Sequence, residues 1–340
     1  MNVLVTGAGG FIGHHLVRRL KSEGHYVVGA DRKAPEYEPS AADRFFNVDL
    51  RFKNQAELAF QSVGKYDEVY MLAANMGGMG FIETHKAEIM YDNTLISLNS
   101  LECAKNFGSG RVFFAGSACV YNTDLQTDHK SGGLSEEMAY PARAEPGYGW
   151  EKLYTEMLCQ HYREDFGLET RVARLHNVYG ELGAWRDGRE KAPAAICRKV
   201  IMADRGGEVE IWGDGGQSRS FQYITDCIEG ITRIIRGDYP HPLNLGSDQA
   251  VTINELFGLA MDIEKKQLTV SHIDGPLGVR SRNSDNSLIK KELGWAPSVP
   301  LERGLRNTYF WIKEQIEHCR SGGDIVDAAS TLLDTTEGAL

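Results

Sequence analysis

No apolar run in these 340 residues approaches the roughly 20 that a membrane-spanning helix needs. The strand-like stretch Asn2–Thr6 begins directly after Met1, so no secretory leader is expected. Cysteine is sparse. The six (Cys103, Cys119, Cys159, Cys197, Cys227 and Cys319) are scattered with no Cys-x-x-Cys pair. That pattern argues against a disulfide framework and a zinc ribbon; no metal is expected, and a reducing cytoplasmic location is. Positive charge is in deficit, 37 Lys plus Arg against 47 Asp plus Glu for a net −10. Nucleic acid and anionic membranes are therefore poor partners, although a local basic pocket is compatible with the balance. There is no internal repeat and no low-complexity block. What is present, 42% hydrophobic and 25% charged residues, is the composition of one or two globular domains.

Short β-branched runs alternate with helical patterns through the first half. Strands are predicted at Asn2–Thr6, Tyr26–Asp31, Arg44–Val48, Glu68–Ala73, Arg111–Gly116 and Thr170–Leu175, and helices at Phe11–Ser22, His85–Asn106 and Tyr148–Phe166. Such alternation with short connections makes a parallel sheet covered on both faces: an α/β, Rossmann-type doubly wound fold. The expected nucleotide-binding domain spans 1–175. Beyond it the pattern breaks into longer loops and shorter strands (Val209–Trp212, Leu243–Leu245). We read 176–320 as a smaller α/β substrate lobe, with some segments returning to the first domain, and 321–340 as a frayed tail. A cleft between the two is where open α/β sheets place ligands.

Gly7-Ala-Gly-Gly10-Phe11-Ile12-Gly13 joins the first strand to the first helix. Glycines at 7, 10 and 13 let the backbone turn sharply, approach a pyrophosphate and pack helix on sheet, with the helix N-terminus facing the phosphates. A glycine triplet alone is weak, since strand–helix turns use glycine for steric reasons too. Here Asp31 ends the second strand, 18 residues beyond Gly13, where a carboxylate accepts both ribose hydroxyls of NAD and repels the extra phosphate of NADP. Arg32 beside it is the feature that would suit NADP. Asp49, after strand three, reads either as an adenine contact or as a turn cap.

Tyr148-Gly-Trp-Glu-Lys152 sets a phenol and an ammonium four apart on one helix face. The cation is expected to lower the phenol's pKa, so that a phenolate can take a proton from a sugar hydroxyl. A second Tyr-x-x-x-Lys, Tyr309 to Lys313, lies in a late aromatic run and reads as helix packing. Strand five ends in Gly116-Ser117-Ala118-Cys119, with Ser117 placed to share the hydroxyl proton. The glycine motif, Ser117, Tyr148 and Lys152, in this order, resemble the extended short-chain dehydrogenase/reductase superfamily.

Further stretches narrow the resemblance. They are the Gly- and Met-rich run Ala73 to Ile82, Gly188-Arg-Glu-Lys-Ala-Pro-Ala-Ala195 with Cys197-Arg-Lys199, Trp212-Gly-Asp-Gly, Gln217-Ser-Arg-Ser-Phe221, and Val279 to Asn286. With Leu293-Gly-Trp-Ala-Pro297 and the run Thr308 to Ile316, they look like the GDP-mannose 3,5-epimerase family, over roughly 1–316 and most weakly at 123–146. The resemblance implies NAD as cofactor, GDP-mannose and its epimers as ligands, and a homodimer built on helices 85–106 and 148–166. It implies that Cys119 and Lys191 move protons on the sugar ring, and that Gly77, Gly78, Ser117, Ala118, Asn177, Glu190, Ala192, Lys199, Gln217, Arg219 and Arg282 hold substrate. The two arginines would meet its diphosphate.

The chemistry asks for such a set. A sugar C–H is too weakly acidic to lose its proton unless the neighbouring carbon is oxidised to a ketone. One group must then remove a proton and another deliver one on the opposite face. A thiol near a cation is expected to ionise near neutral pH, and a lysine in a desolvated cleft to lose basicity. Each residue also has a plainer reading: Cys119 as a small buried hydrophobe, Lys191 in a solvated loop, Arg219, Arg282 and Lys199 as surface charges, Asn177 and Gly77-Gly78 as turn formers. Another nucleotide-sugar epimerase or a 4,6-dehydratase is the enzyme alternative; a dehydratase usually carries carboxylates after the strand-five serine, where this chain has Ala118-Cys119. A non-catalytic NAD-binding regulator would need neither Ser117, Tyr148 nor Lys152.

Overall fold

A computed structural model describes residues 1–127, 132–276 and 278–321. Residues 322–340, nearly all of the expected tail, lie outside the described residues. Seven parallel strands form the main sheet: β1 (Asn2–Thr6), β2 (Tyr26–Asp31), β3 (Arg44–Asn47), β4 (Glu68–Met71), β5 (Arg111–Ser117), β6 (Glu169–Leu175) and β10 (Leu243–Leu245), in the order β10-β6-β5-β4-β1-β2-β3. The order reverses direction between β1 and β4, the switch point where such sheets open a crevice.

Strand residues alternate between two cores, so both faces of the sheet are covered. Val3, Val5, Val27, Tyr70 and Phe113 belong to one core, while Leu4, Val28, Val69, Val112 and Phe114 belong to the other. The first core takes in α1 (Phe11–Ser22) and α7 (Ile224–Arg236); the second takes in α2 (Lys53–Phe60), α4 (Lys86–Asn106) and α5 (Tyr148–Phe166).

The first core does not stop at the sheet. It continues through α6 (Ala192–Met202), α8 (Ile253–Ile263), α9 (Ser287–Leu293) and α10 (Leu301–Arg320), so the C-terminal helices share apolar burial with the sheet. Four strands, β7 (Asn177–Tyr179), β9 (Ser218–Tyr223), β11 (Ala250–Thr252) and β13 (Ser281–Arg282), make a second sheet, and β8 (Glu208–Trp212) pairs with β12 (Thr269–Ile273). Leu243–Leu245 is a strand of the main sheet, paired with β6. The Gly- and Met-rich run after β4 leads into a short helix, α3 (Met79–Thr84). Among the described residues no helix is long and apolar enough to cross a membrane.

Candidate active site

The C-terminal ends of β1, β2, β4, β5 and β6 face loops from the C-terminal half across one cleft. It is lined by residues of the glycine turn, Asp31, Asp49, Gly77, Gly78, Ser117, Ala118, Cys119, Tyr148, Lys152, Asn177, Glu190, Lys191, Ala192, Lys199, Gln217, Arg219 and Arg282. Every residue predicted for the site therefore lines a single cavity.

At the glycine end the backbone leaves no room for side chains. Gly7 has φ +73°, and a Cβ there would lie 2.7 Å from the Ala73 nitrogen; a Cβ on Gly13 would lie 2.0 Å from the Gly7 carbonyl oxygen. Gly10 caps α1 without a side-chain bond, and no acidic residue occupies its first turn. Phe11, Ile12 and Gly13 thus offer amides to an anion. The Asp31 carboxylate accepts from the Gly9 and Lys33 amides at 3.0 and 3.2 Å; burial pushes its pKa up while those amides pull it down. This turn, helix terminus and carboxylate fit an NAD dinucleotide. Asp49 accepts from the Arg51 amide at 3.0 Å, as a turn cap does. Its carboxylate also pairs with the Arg51 guanidinium, which reaches Asp92 at 2.9 Å in an ion-pair network at the same end of the cleft.

The network runs on. Asp92 accepts from the Asn75 side chain at 3.0 Å, and Asn93 binds the Asn75 backbone at 2.6 and 3.2 Å. It fixes the root of the loop carrying Gly77 and Gly78. A Cβ on Gly78 would lie 2.8 Å from the Glu190 carbonyl oxygen, so two loops close on each other at a glycine. Lys191, the cap of α6, donates to the Gly77 carbonyl at 3.2 Å. Glu190 accepts from Arg198 at 2.8 Å.

Ser117 accepts the Cys119 amide at 3.2 Å, which opens a tight turn through Ala118 at the strand end. Tyr148 is the first residue of α5, and Lys152 follows one turn on. Both are buried. The expected depression of the phenol's pKa is corrected by the structure: burial, then Cys119 and Glu151, push it well above the ordinary value, and the Ser117 hydroxyl opposes them. The Lys152 ammonium lies 4.8 Å over the Phe114 ring, 5.5 Å over the Tyr148 ring and 3.8 Å from Glu151.

The thiol is likewise corrected. Burial and Glu145 raise the Cys119 pKa, outweighing Arg282, Ser117 and Lys191. For Lys191 the expectation agrees: desolvation lowers its pKa, and Arg282 adds to this. Arg282 is no surface charge. It is buried, and its guanidinium meets Glu145, Gln126 at 2.7 Å and the Cys119 sulfur at 3.4 Å. Arg219 donates to the Ser218 and Val279 carbonyls, and burial plus nearby Arg282 bring its pKa down to about 10. Two guanidiniums converging in a desolvated cleft favour an anionic ligand.

Gln217 donates to the Trp212 carbonyl at 3.1 Å and keeps a buried side-chain oxygen without a protein partner. Asn177 donates to Ser220, and Lys199 donates to the Glu210 carbonyl. Sequence reasoning missed Glu145 and Gln126. Both come from the stretch where the resemblance was weakest, and both are far in sequence from the Arg282 they contact.

These features place the chain in a class. It belongs to the NAD dependent epimerase/dehydratase family, whose signature spans residues 3–246. Within it, the chain is 49% identical over 329 residues to GDP-mannose 3,5-epimerase of Arabidopsis thaliana, covering 96% of this chain and 86% of the plant protein. Its fold is similar to that of UDP-glucose 4-epimerase of Thermotoga maritima, with a TM-score of 0.84 at 25% identity over 93% of this chain and all of that one. The Thermus thermophilus UDP-glucose 4-epimerase in complex with NAD gives 0.80 at 25% identity, covering 92% and 99%.

Proposed function

We propose that this NAD-dependent enzyme epimerises GDP-mannose at carbons 3 and 5 to GDP-L-galactose, through transient oxidation of carbon 4. NAD, when bound, supplies the reversible two-electron oxidation of that carbon. Gly7, Gly10, Phe11, Ile12, Gly13 and Asp31 would hold it, with Asp49 lining its far end and Tyr148 and Lys152 at the reacting end. Tyr148 takes the hydroxyl proton of carbon 4, and Ser117 shares it. Tyr148 does this as the phenolate, and Lys152, 5.5 Å from its ring, supplies the positive charge that favours that form against the opposing effect of burial.

With carbon 4 a ketone, the protons on carbons 3 and 5 become removable. Cys119 and Lys191 work from opposite sides of the ring, one removing and one delivering. Gly77, Gly78, Ala118, Asn177, Glu190, Ala192 and Gln217 shape the sugar pocket, and Arg219 and Lys199 supply positive charge for the diphosphate end. Arg282, expected there from the resemblance, is instead paired with Glu145 beside the Cys119 sulfur, at the ring. The observation that carries the reading is a thiol and a desolvated amine lining the cleft beside the Ser117, Tyr148 and Lys152 set, each within electrostatic reach of the other. The test is incubation with GDP-mannose and product analysis by NMR. GDP-L-galactose is expected; unchanged GDP-mannose, or a product altered only at carbon 4, would contradict the reading.

The same proposal includes a homodimer. Met90 and Tyr91 on α4 and Trp150, Tyr154 and Met157 on α5 are all exposed, Tyr91 by 67%. The two helices pack side by side, so a second copy could cover this apolar face in a four-helix arrangement. Six free cysteines suit a reducing, cytoplasmic setting.

A further inference from the structure

The reading of Cys119 as a ring acid–base group leaves a question about its surroundings. A thiol with Arg282 at 3.4 Å and Lys191 close by would ordinarily be driven towards thiolate. The groups facing the sulfur also include Tyr148, Arg219 and one carboxylate, Glu145. Glu145 is 8% exposed.

Its placement is built in. The Glu145 amide donates to the Cys119 carbonyl at 3.0 Å, which ties the two backbones together. The Trp150 amide donates back to the Glu145 carbonyl at 3.3 Å, which joins the segment to the first turn of α5. The side chain then meets both the Arg282 guanidinium and the Cys119 thiol. Arg282 is held on its other edge by Gln126, 2.7 Å from Nε.

We infer that Glu145 is a positioning residue: its carboxylate anchors Arg282 against the Cys119 sulfur and, as the nearest opposing charge, keeps that cation from stripping the thiol of its proton. The consequence is a buried pair of near-zero net charge around a protonated sulfur. The thiol proton stays on sulfur at rest and is available to a ring carbon. The inference rests on the proposed function only for its catalytic meaning; the electrostatic arrangement is testable without turnover.

The experiment follows alkylation of Cys119 by iodoacetamide across pH 6–10, read by mass spectrometry at the peptide carrying Cys119 so that the other five cysteines do not interfere. Glu145→Gln keeps the shape and removes the charge, while Gln126 still holds Arg282. Its alkylation midpoint should fall by about one unit or more, giving at least about tenfold faster labelling at pH 7. An unchanged midpoint, or a rise, would overturn the inference. Should Glu145→Gln fail to fold, Glu145→Asp draws the charge back by one methylene and should move the midpoint the same way by less; no movement there would overturn it equally. Cys119→Ala, assayed for inversion, reports separately. Retained inversion would remove Cys119 from the chemistry while leaving the Glu145 effect on labelling intact.

Discussion

Tyr148 and Cys119 owe their adjacency to a residue with no side chain. A Cβ on Gly149 would lie 2.3 Å from the Cys119 carbonyl oxygen, so only glycine lets the first turn of α5 rest on the strand-five turn. Removing the phenol should block the first proton transfer: Tyr148→Phe is expected to lose about 10²–10⁴-fold in product formation by NMR, with folding intact. Near-native activity would take Tyr148 out of the mechanism. Cys119→Ala and Lys191→Ala should each lose inversion on a similar scale, and Cys119→Ser should do little better, because a hydroxyl gives up its proton far less readily than a thiol. The site residues that follow each other in short motifs were legible in the sequence. Their charges were not. Whether Tyr148 and Cys119 are acidified depends on burial and on Glu145, Glu151 and Arg282, and no local spacing reports those distances.

At the level of elements, β1, β2, β4 and β5 were readable because both faces are covered and their centres are apolar. β3 and β6 carry polar residues and were legible from their place in the strand–helix alternation. β10 has three residues and no such signature, so its place on the sheet follows from pairing with β6. His176, just past β6, marks this junction. It is buried, its ring meets Asn244 on β10 at 3.2 Å, and burial brings its pKa down to about 3. The unfolded chain protonates this histidine below about pH 6.5, whereas the folded one resists until about pH 3. In that window the unfolded state binds the extra proton, so stability falls as pH falls, by up to about 1.4 kcal/mol per unit. Urea unfolding at pH 7 and 5 should show a smaller acid loss in His176→Asn than in the native protein; equal losses would refute this. The glycine turn predicts a contrast. Gly13→Ala should cost about 1–3 kcal/mol and weaken NAD binding by calorimetry, because its Cβ meets the Gly7 carbonyl at 2.0 Å. Gly258→Ala, in α8 with nothing within 4 Å of its Cβ, should gain about 0.5–1 kcal/mol. Equal effects on thermal unfolding would mean that the turn relaxes freely.

Taken whole, the molecule is a parallel sheet whose core flows into the C-terminal helices and leaves one apolar face on α4 and α5. Light scattering at micromolar concentration should give twice the 37.8 kDa chain mass, and Tyr154→Glu, on the exposed face of α5, should lower it. A native mass near 37.8 kDa across that range would reject the dimer. The central claim is that Cys119 and Lys191 exchange ring protons beside a carbon oxidised with the help of Tyr148. It is tested most directly by turnover of GDP-mannose in deuterated water. The product isolated by NMR should carry deuterium at carbons 3 and 5 and none at carbon 4, and Cys119→Ala should incorporate almost none. Product formed without deuterium at carbon 5, or with deuterium at carbon 4, would contradict the account.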